Sequence, residues 1–220
     1  MIQPDKIIRS DRKTLSVCID CFGNVTVRAP RRCDTARIFA FLQEKEAWIL
    51  RKKAERTGAG MALPPEDLDG YEFSLLGKNC KLHLYEKSKI AFDAEENQLF
   101  LPRKNARERL KKWLKENAKR ILTILTEQKA KEMQTTYQSV SITSAKSRWG
   151  SCSYDNAIRY TFRLLYAPRE IMEYVVVHEL AHTKHKNHSK AFWQEVERFE
   201  PAWKQKRKWL KTHGIFMEIF

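Results

Sequence analysis

The sequence predicts an α+β fold: a β-rich N-terminal half to about Pro102, then a half in which a long helix and a histidine-bearing helix pack against a small sheet. Three observations carry the prediction. Residues 14–29 alternate apolar and polar side chains, a stripe with helical spacing starts at Ala106, and residues 171–181 form an almost wholly apolar helical stretch.

In chain order, Leu15, Val17 and Ile19 form one arm of a hairpin and Val25, Val27 and Ala29 the other, with Gly23-Asn24 near the turn. Thr35 opens a helix in which Ile38, Phe41, Leu42, Lys45, Trp48 and Ile49 keep one spacing to about Arg56. Three glycines and Pro64-Pro65 make residues 57–70 a loop. Short strands are expected at residues 73–76, 80–85, 89–92 and 98–101.

From Ala106 the apolar positions Leu110, Trp113, Leu114, Ile121, Leu122 and Leu125 face away from a lysine-rich side. Two further strands, at residues 137–143 and 157–165, bracket the segment SRWGSCS at 147–153. Pro168 suits the first turn of the histidine helix. The expected division is residues 1–102, β-rich with one helix, and residues 103–220, the histidine-bearing half.

The chain has 220 residues, enough to bury a core as one large domain or two small ones. It lacks an apolar run of about 18 residues, and MIQPDKIIRSDRK lacks a signal-peptide core, so a cytoplasmic location without a membrane partner is expected. Cys18, Cys21, Cys33, Cys80 and Cys152 are odd in number and scattered, unlike a secreted disulfide framework. Cys18 and Cys21 form a CxxC without the second pair that a zinc ribbon needs; Cys18 reads as a strand residue and Cys21 as part of the turn after it. The net charge of +15, from 42 Lys and Arg against 27 Asp and Glu, suits a solvated exterior better than specific nucleic-acid binding, because no basic stretch is interleaved with stacking aromatics.

Function is concentrated in HELAHTKHKNH, residues 178–188, which holds four of the six histidines. His178 and His182 are four apart, so a helix projects both imidazoles from one face, the separation at which they share a Zn²⁺ at about 2.0–2.1 Å. Glu179 is then placed to take a proton from a water on the metal. The apolar surroundings argue that the helix is buried, and buried histidines and a glutamate need partners.

For the third ligand, His185 on a continued helix would lie roughly 10 Å along the axis from His178, too far to share its ion. His188 returns to the metal if the chain turns at Lys186-Asn187, with Ser189 capping a following helix that carries Phe192 and Trp193. Glu195 and Glu197 on that helix are the carboxylate alternatives.

SRWGSCS at 147–153, APREIMEYVVVHELAH at 167–182 and HSKAFW at 188–193 closely resemble the YgjP-like metal-dependent hydrolases, relatives of the SprT-type and WLM-type zinc peptidases. Weaker similarity covers RSDRKTLSV near the start, VRAP at 27–30 and RKWLKTHG at 207–214. The resemblance implies a zincin-like second half, metal ligands at His178, His182 and His188, and Glu179 as the catalytic acid/base. One departure stands out: the family commonly reads LNWRL where this chain has YTFRL at 160–164.

The resulting expectation is a zinc-dependent hydrolase, a metallopeptidase with one Zn²⁺ or other divalent ion per chain and a peptide or protein substrate. The alternatives are a nucleotide or phosphoanhydride hydrolase and a nucleic-acid-associated module. The strand near residues 160–164 is the candidate edge for aligning substrate. Arg148 and Arg163 are candidates for stabilising an oxyanion, the other possibility being an ion pair or a clamp on backbone carbonyls. Trp149, Phe192 and Trp193 are expected to pack around the site, and Cys152 to be a small buried residue rather than a ligand.

Overall fold

The computed structural model describes residues 2–19, 23–57 and 64–214; Cys21 therefore lies outside the described residues, as do residues 58–63 of the expected loop. Among the described residues the chain is a mixed α+β structure of six α-helices and three sheets. It forms two compact units, one within residues 1–62 together with 212–214 and one within residues 63–211.

In the first unit, strands β2 (Ser16–Ile19) and β3 (Val25–Pro30) pair antiparallel, as the alternation predicts. A strand that the sequence pattern does not announce, β1 (Lys6–Ser10), pairs parallel to β3. β1 is exposed along most of its length, so it carries no apolar alternation to read. The helix expected over residues 35–56 is two helices, α1 (Thr35–Glu44) and α2 (Glu46–Thr57), broken at Lys45. The Asp34 side chain caps α1 by accepting from Ala36 N. Val25, Val27, Ala29, Ile38, Leu42 and Ile49 form this unit's core.

The second unit begins with a four-stranded sheet in the order β4 (Glu72–Leu75), β5 (Lys78–Tyr85), β7 (Gln98–Pro102), β6 (Ala91–Asp93). Helix α3 (Ala106–Glu132) follows, then β8 (Ser139–Thr143), β9 (Gly150–Cys152), β10 (Ala157–Thr161), a 3₁₀ helix (Phe162–Tyr166), α4 (Arg169–Lys184), α5 (Lys190–Phe199) and α6 (Trp203–Thr212). The boundary expected at Pro102 therefore falls inside this unit. The reason is packing: β7 lies on α3 and β4 on the 3₁₀ helix, so the four-stranded sheet joins the elements after it.

Two features of this unit position α4. The buried stripe of α3, from Leu110 through Leu122 to Ala130, packs on α4, whose Ile171, Val175, Val176 and Leu180 are also buried. Fully burying each such side chain stabilises by about 1.5–3 kcal/mol. The β4–β5 turn then sets the start of α4. Leu76 N donates to Leu165 O at 2.7 Å, and at Gly77, with φ +82°, an added Cβ would stand 3.0 Å from Pro168 Cα. Pro168 is the N-cap residue of α4, one position ahead of the first turn expected for it.

The sheet β8-β10-β9 departs from expectation. β10 is the central strand, parallel to β8 and antiparallel to β9, so it offers no free edge. Residues 162–165, read from sequence as more strand, belong to the 3₁₀ helix, and all five residues of that helix are buried. The sheet's two edges are β8, which packs on α3, and β9, which lies along the histidine cleft.

Candidate metal centre

Helix α4 carries His178, Glu179 and His182 within one turn near its C-terminal end. The helix stops at Lys184, and His185 adopts extended backbone (φ −128°, ψ 102°) with its N–H on Ala181 O. The chain then bends at Lys186 and Asn187, where the sequence places the turn, although Asn187 has no positive φ. Ser189 caps α5, its Oγ accepting from Phe192 N at 3.4 Å, and this fixes where His188 stands. The Lys184 ammonium ties the end of α4 to Met133 O at 2.8 Å and to Glu195 at 2.7 Å.

These elements bring three histidines together. His178 Nε2 and His188 Nε2 are 3.1 Å apart, and one ring nitrogen from each of His178, His182 and His188 lies within 4.8 Å of the others. Two ligands at about 2.0–2.1 Å in tetrahedral array would be about 3.3 Å apart, so the rings are spaced as co-ligands of one ion. Among the described residues this is the one such group of His, Cys, Asp or Glu donors. His182 Nδ1 is 3.0 Å from His185 O, an interaction that orients the ring and leaves Nε2 for a metal. Fully buried Phe192 lies 4.4–4.9 Å, centre to centre, from all three rings and forms an apolar support for them. His188 stacks on Trp193 at 5.5 Å, and Trp193 on Trp203 at 4.2 Å.

Electrostatics favour the ligating form of the rings. Burial, reinforced by His182, His188 and Arg207, pushes the His178 pKa down to about 3, and burial also lowers that of His182. Both are then neutral imidazoles, the state that binds metal.

Glu179 is 5% exposed. Burial raises its pKa to about 8, with the Arg148 charge acting in the opposite direction. Its carboxylate rests against β9: a Cβ added to Gly150 would stand 2.5 Å from Oε1 and 2.8 Å from Cδ. The cleft above has a volume of about 570 Å³, with Arg148, Gly150 and Cys152 on one wall and the histidines and Lys186 on the other. A larger hollow of about 820 Å³, between Leu15 and Phe41 in the first unit, lacks any such cluster of metal donors.

Arg148 is exposed and lines the cleft. Arg163 does not. It is fully buried and donates to Ser144 O at 2.9 Å and Ala145 O at 3.4 Å, which makes it a clamp on the backbone leading to Arg148 and removes it as an oxyanion candidate. Glu195 is paired with Lys184 and Glu197 is exposed, and neither joins the histidine group. Cys152 is half-buried with its thiol pKa raised by burial, and His185 gives a backbone carbonyl rather than its ring.

Sequence reasoning missed Gly150, the free edge of β9, Lys186 and Arg207. Gly150 alone left a signal, a glycine inside SRWGSCS where neither a turn nor a positive φ requires one.

An α+β structure with three converging histidines beside a buried glutamate has the makings of a metal-dependent hydrolase. A family model for the YgjP-like metallopeptidase domain matches residues 13–213, and the chain belongs to that family of metal-dependent peptidases. The family implies a divalent metal and a peptide or protein substrate. Among solved structures, the chain is similar to the metallopeptidase zymogen of Pyrococcus abyssi abylysin, with 28% identity and a TM-score of 0.39 over 42% of this chain and 93% of that one. Comparison with curated proteins gives no match. Among the described residues no helix is long and apolar enough to cross a membrane.

Proposed function

We propose that the chain is a zinc peptidase of the zincin type, in which His178, His182 and His188 hold one ion and Glu179 is the general base. The observation that carries this reading is the 3.1 Å approach of two Nε2 atoms, one on α4 and one in the connection to α5, with a third ring and a buried carboxylate beside them. Zinc bound there supplies Lewis acidity towards water and towards the scissile carbonyl.

The chain's own residues do the rest. Glu179, one residue after His178, accepts the proton of the attacking water and delivers it to the leaving amine. Its raised pKa suits a group that must both take and return a proton near neutral pH. The free edge of β9 aligns an extended peptide through backbone hydrogen bonds, a role that central β10 cannot fill. Arg148 lies on the same wall, along the path of a peptide bound there.

The test is Glu179→Gln, assayed on a peptide library with and without chelator, together with elemental analysis. Removing the base should cut hydrolysis by about 10²–10⁴ while one metal ion per chain and the thermal transition persist. A fully active, chelator-sensitive Glu179→Gln protein would remove Glu179 from the mechanism.

A further inference from the structure

Two guanidinium groups lie near the histidine centre, and among the described residues neither stands in an ion pair. Arg148 stands on the β9 wall, and its charge acts on Glu179. Arg207, exposed on α6, has its guanidinium carbon 5.0 Å from the centre of the Trp193 ring, the ring that stacks on His188. That ring also lies 5.8 Å from the His178 ring, so Arg207 stands on the α5–α6 side of the centre, beyond the residues that line the cleft. Neither arginine has a carboxylate partner or a hydrogen bond among the described residues. The contrast with other cations nearby is informative. Arg163 is spent on Ser144 and Ala145 carbonyls, and Lys186 on Ser153 O and the Asn156 side chain.

Glu179 is the one carboxylate on the cleft wall among the described residues. Asp155, on the turn after β9, is exposed and engaged with Ser153 and Arg159. A substrate lysine or arginine would meet the Arg148 charge in the cleft and the Arg207 charge beyond the histidines, over Trp193, and the net charge of +15 extends that field outwards. A substrate carboxylate would instead find two planar donors suited to bidentate hydrogen bonds.

We propose that Arg148 and Arg207 bind substrate carboxylates on the two sides of the scissile bond, so that the enzyme selects acidic peptide segments; this deepens the peptidase reading above and rests on it. The ligand chemistry is a carboxylate, contributed by Asp and Glu side chains or by the peptide's C-terminus. Both sources present the same two oxygens.

The proposal is tested with fluorescent peptides that carry Asp and Glu, or the isosteric Asn and Gln, around one sequence, each with a free and an amidated C-terminus. Binding is read by anisotropy on metal-loaded Glu179→Gln protein, and kcat/KM on the wild type gives an independent second readout. Acidic peptides should bind about tenfold more tightly than their amide isosteres, the size of a charge-assisted hydrogen bond. The ratio should collapse in Arg148→Gln and Arg207→Gln and persist in Lys78→Gln, which removes an exposed charge at the start of β5. Loss of the preference on amidation alone would assign the carboxylate to the chain end and still support the arginines' role. Equal affinity for acid and amide peptides would overturn the proposal, as would tight binding of a nucleoside triphosphate without any acid-over-amide preference. Acidic peptides that bind selectively but are never cut by the wild type would sink the peptidase reading while leaving carboxylate selection standing.

Discussion

The Glu179 carboxylate and Gly150 lie so close that a Cβ at position 150 would stand 2.5 Å from Oε1 and 2.8 Å from both Cγ and Cδ. The glycine is needed for space and not for an unusual backbone, since its φ is not positive. β9 cannot simply swing away, because Gly150 pairs with Tyr160 on β10 and the buried Tyr160 hydroxyl meets Thr126 on α3 at 3.2 Å. The fold thus presses a backbone against the proposed base and holds its carboxylate in place.

Gly150→Ala should therefore displace the carboxylate, because the strand is anchored and the side chain is the softer partner. The expected loss approaches that of removing the base, about 10² in kcat or more, with metal content retained and KM changed far less. Glu179→Asp, one methylene shorter, relieves the same clash. The two substitutions should then be less than additive when combined. Additive losses, or a Gly150→Ala enzyme with unchanged kcat, would show that the contact does not govern the base.

Ser189→Ala should cost about 1 kcal/mol of stability by removing the N-cap of α5. It should also weaken metal binding, because the cap fixes the residue that follows His188. Competition with a chelator reads the affinity and thermal denaturation the stability. An unchanged affinity alongside the stability loss would mean that Phe192, packed against all three rings, holds His188 by itself.

Arg163→Met should destabilise by about 1–3 kcal/mol, since it leaves two part-buried hydrogen bonds without their donor. The clamped residues Ser144 and Ala145 lead directly to the cleft wall, so activity should fall as well. Arg163→Lys should rescue only in part, because both bonds come from one nitrogen, Nη1, and the lysine chain is one atom too short to carry its ammonium to that place. Chemical denaturation of the three proteins checks the order.

What the sequence made legible is what local periodicity encodes. The spacing of His178 and His182, the apolar α4 and the Ser189 cap are all properties of a helix or its end, and each is visible within a few residues. The misreadings arose where a short apolar run has two solutions. Residues 162–165 look like a buried strand but turn into a 3₁₀ helix, and regular spacing across Lys45 conceals a break between α1 and α2. The Gly150–Glu179 contact, the free edge of β9 and the approach of Arg207 depend on tertiary packing between elements distant in the chain. No periodicity within either partner could reveal them.

Chelation should lower the melting temperature of the wild type. An ion that binds only the folded chain stabilises it by about 2.7 kcal/mol when free metal is a hundred times the dissociation constant. The gain here should be large, because His178 and His182 are already held as neutral rings by burial and the ion loses little to proton competition. His188→Ala removes one of three donors, so its melting temperature should respond weakly to chelator and to added zinc. Glu195→Gln should retain the full wild-type response, because Glu195 is engaged with Lys184 and stands outside the donor group. Calorimetry of the three proteins, with and without chelator, separates the cases: a full response in His188→Ala with none in Glu195→Gln would reassign the third ligand from His188 to Glu195.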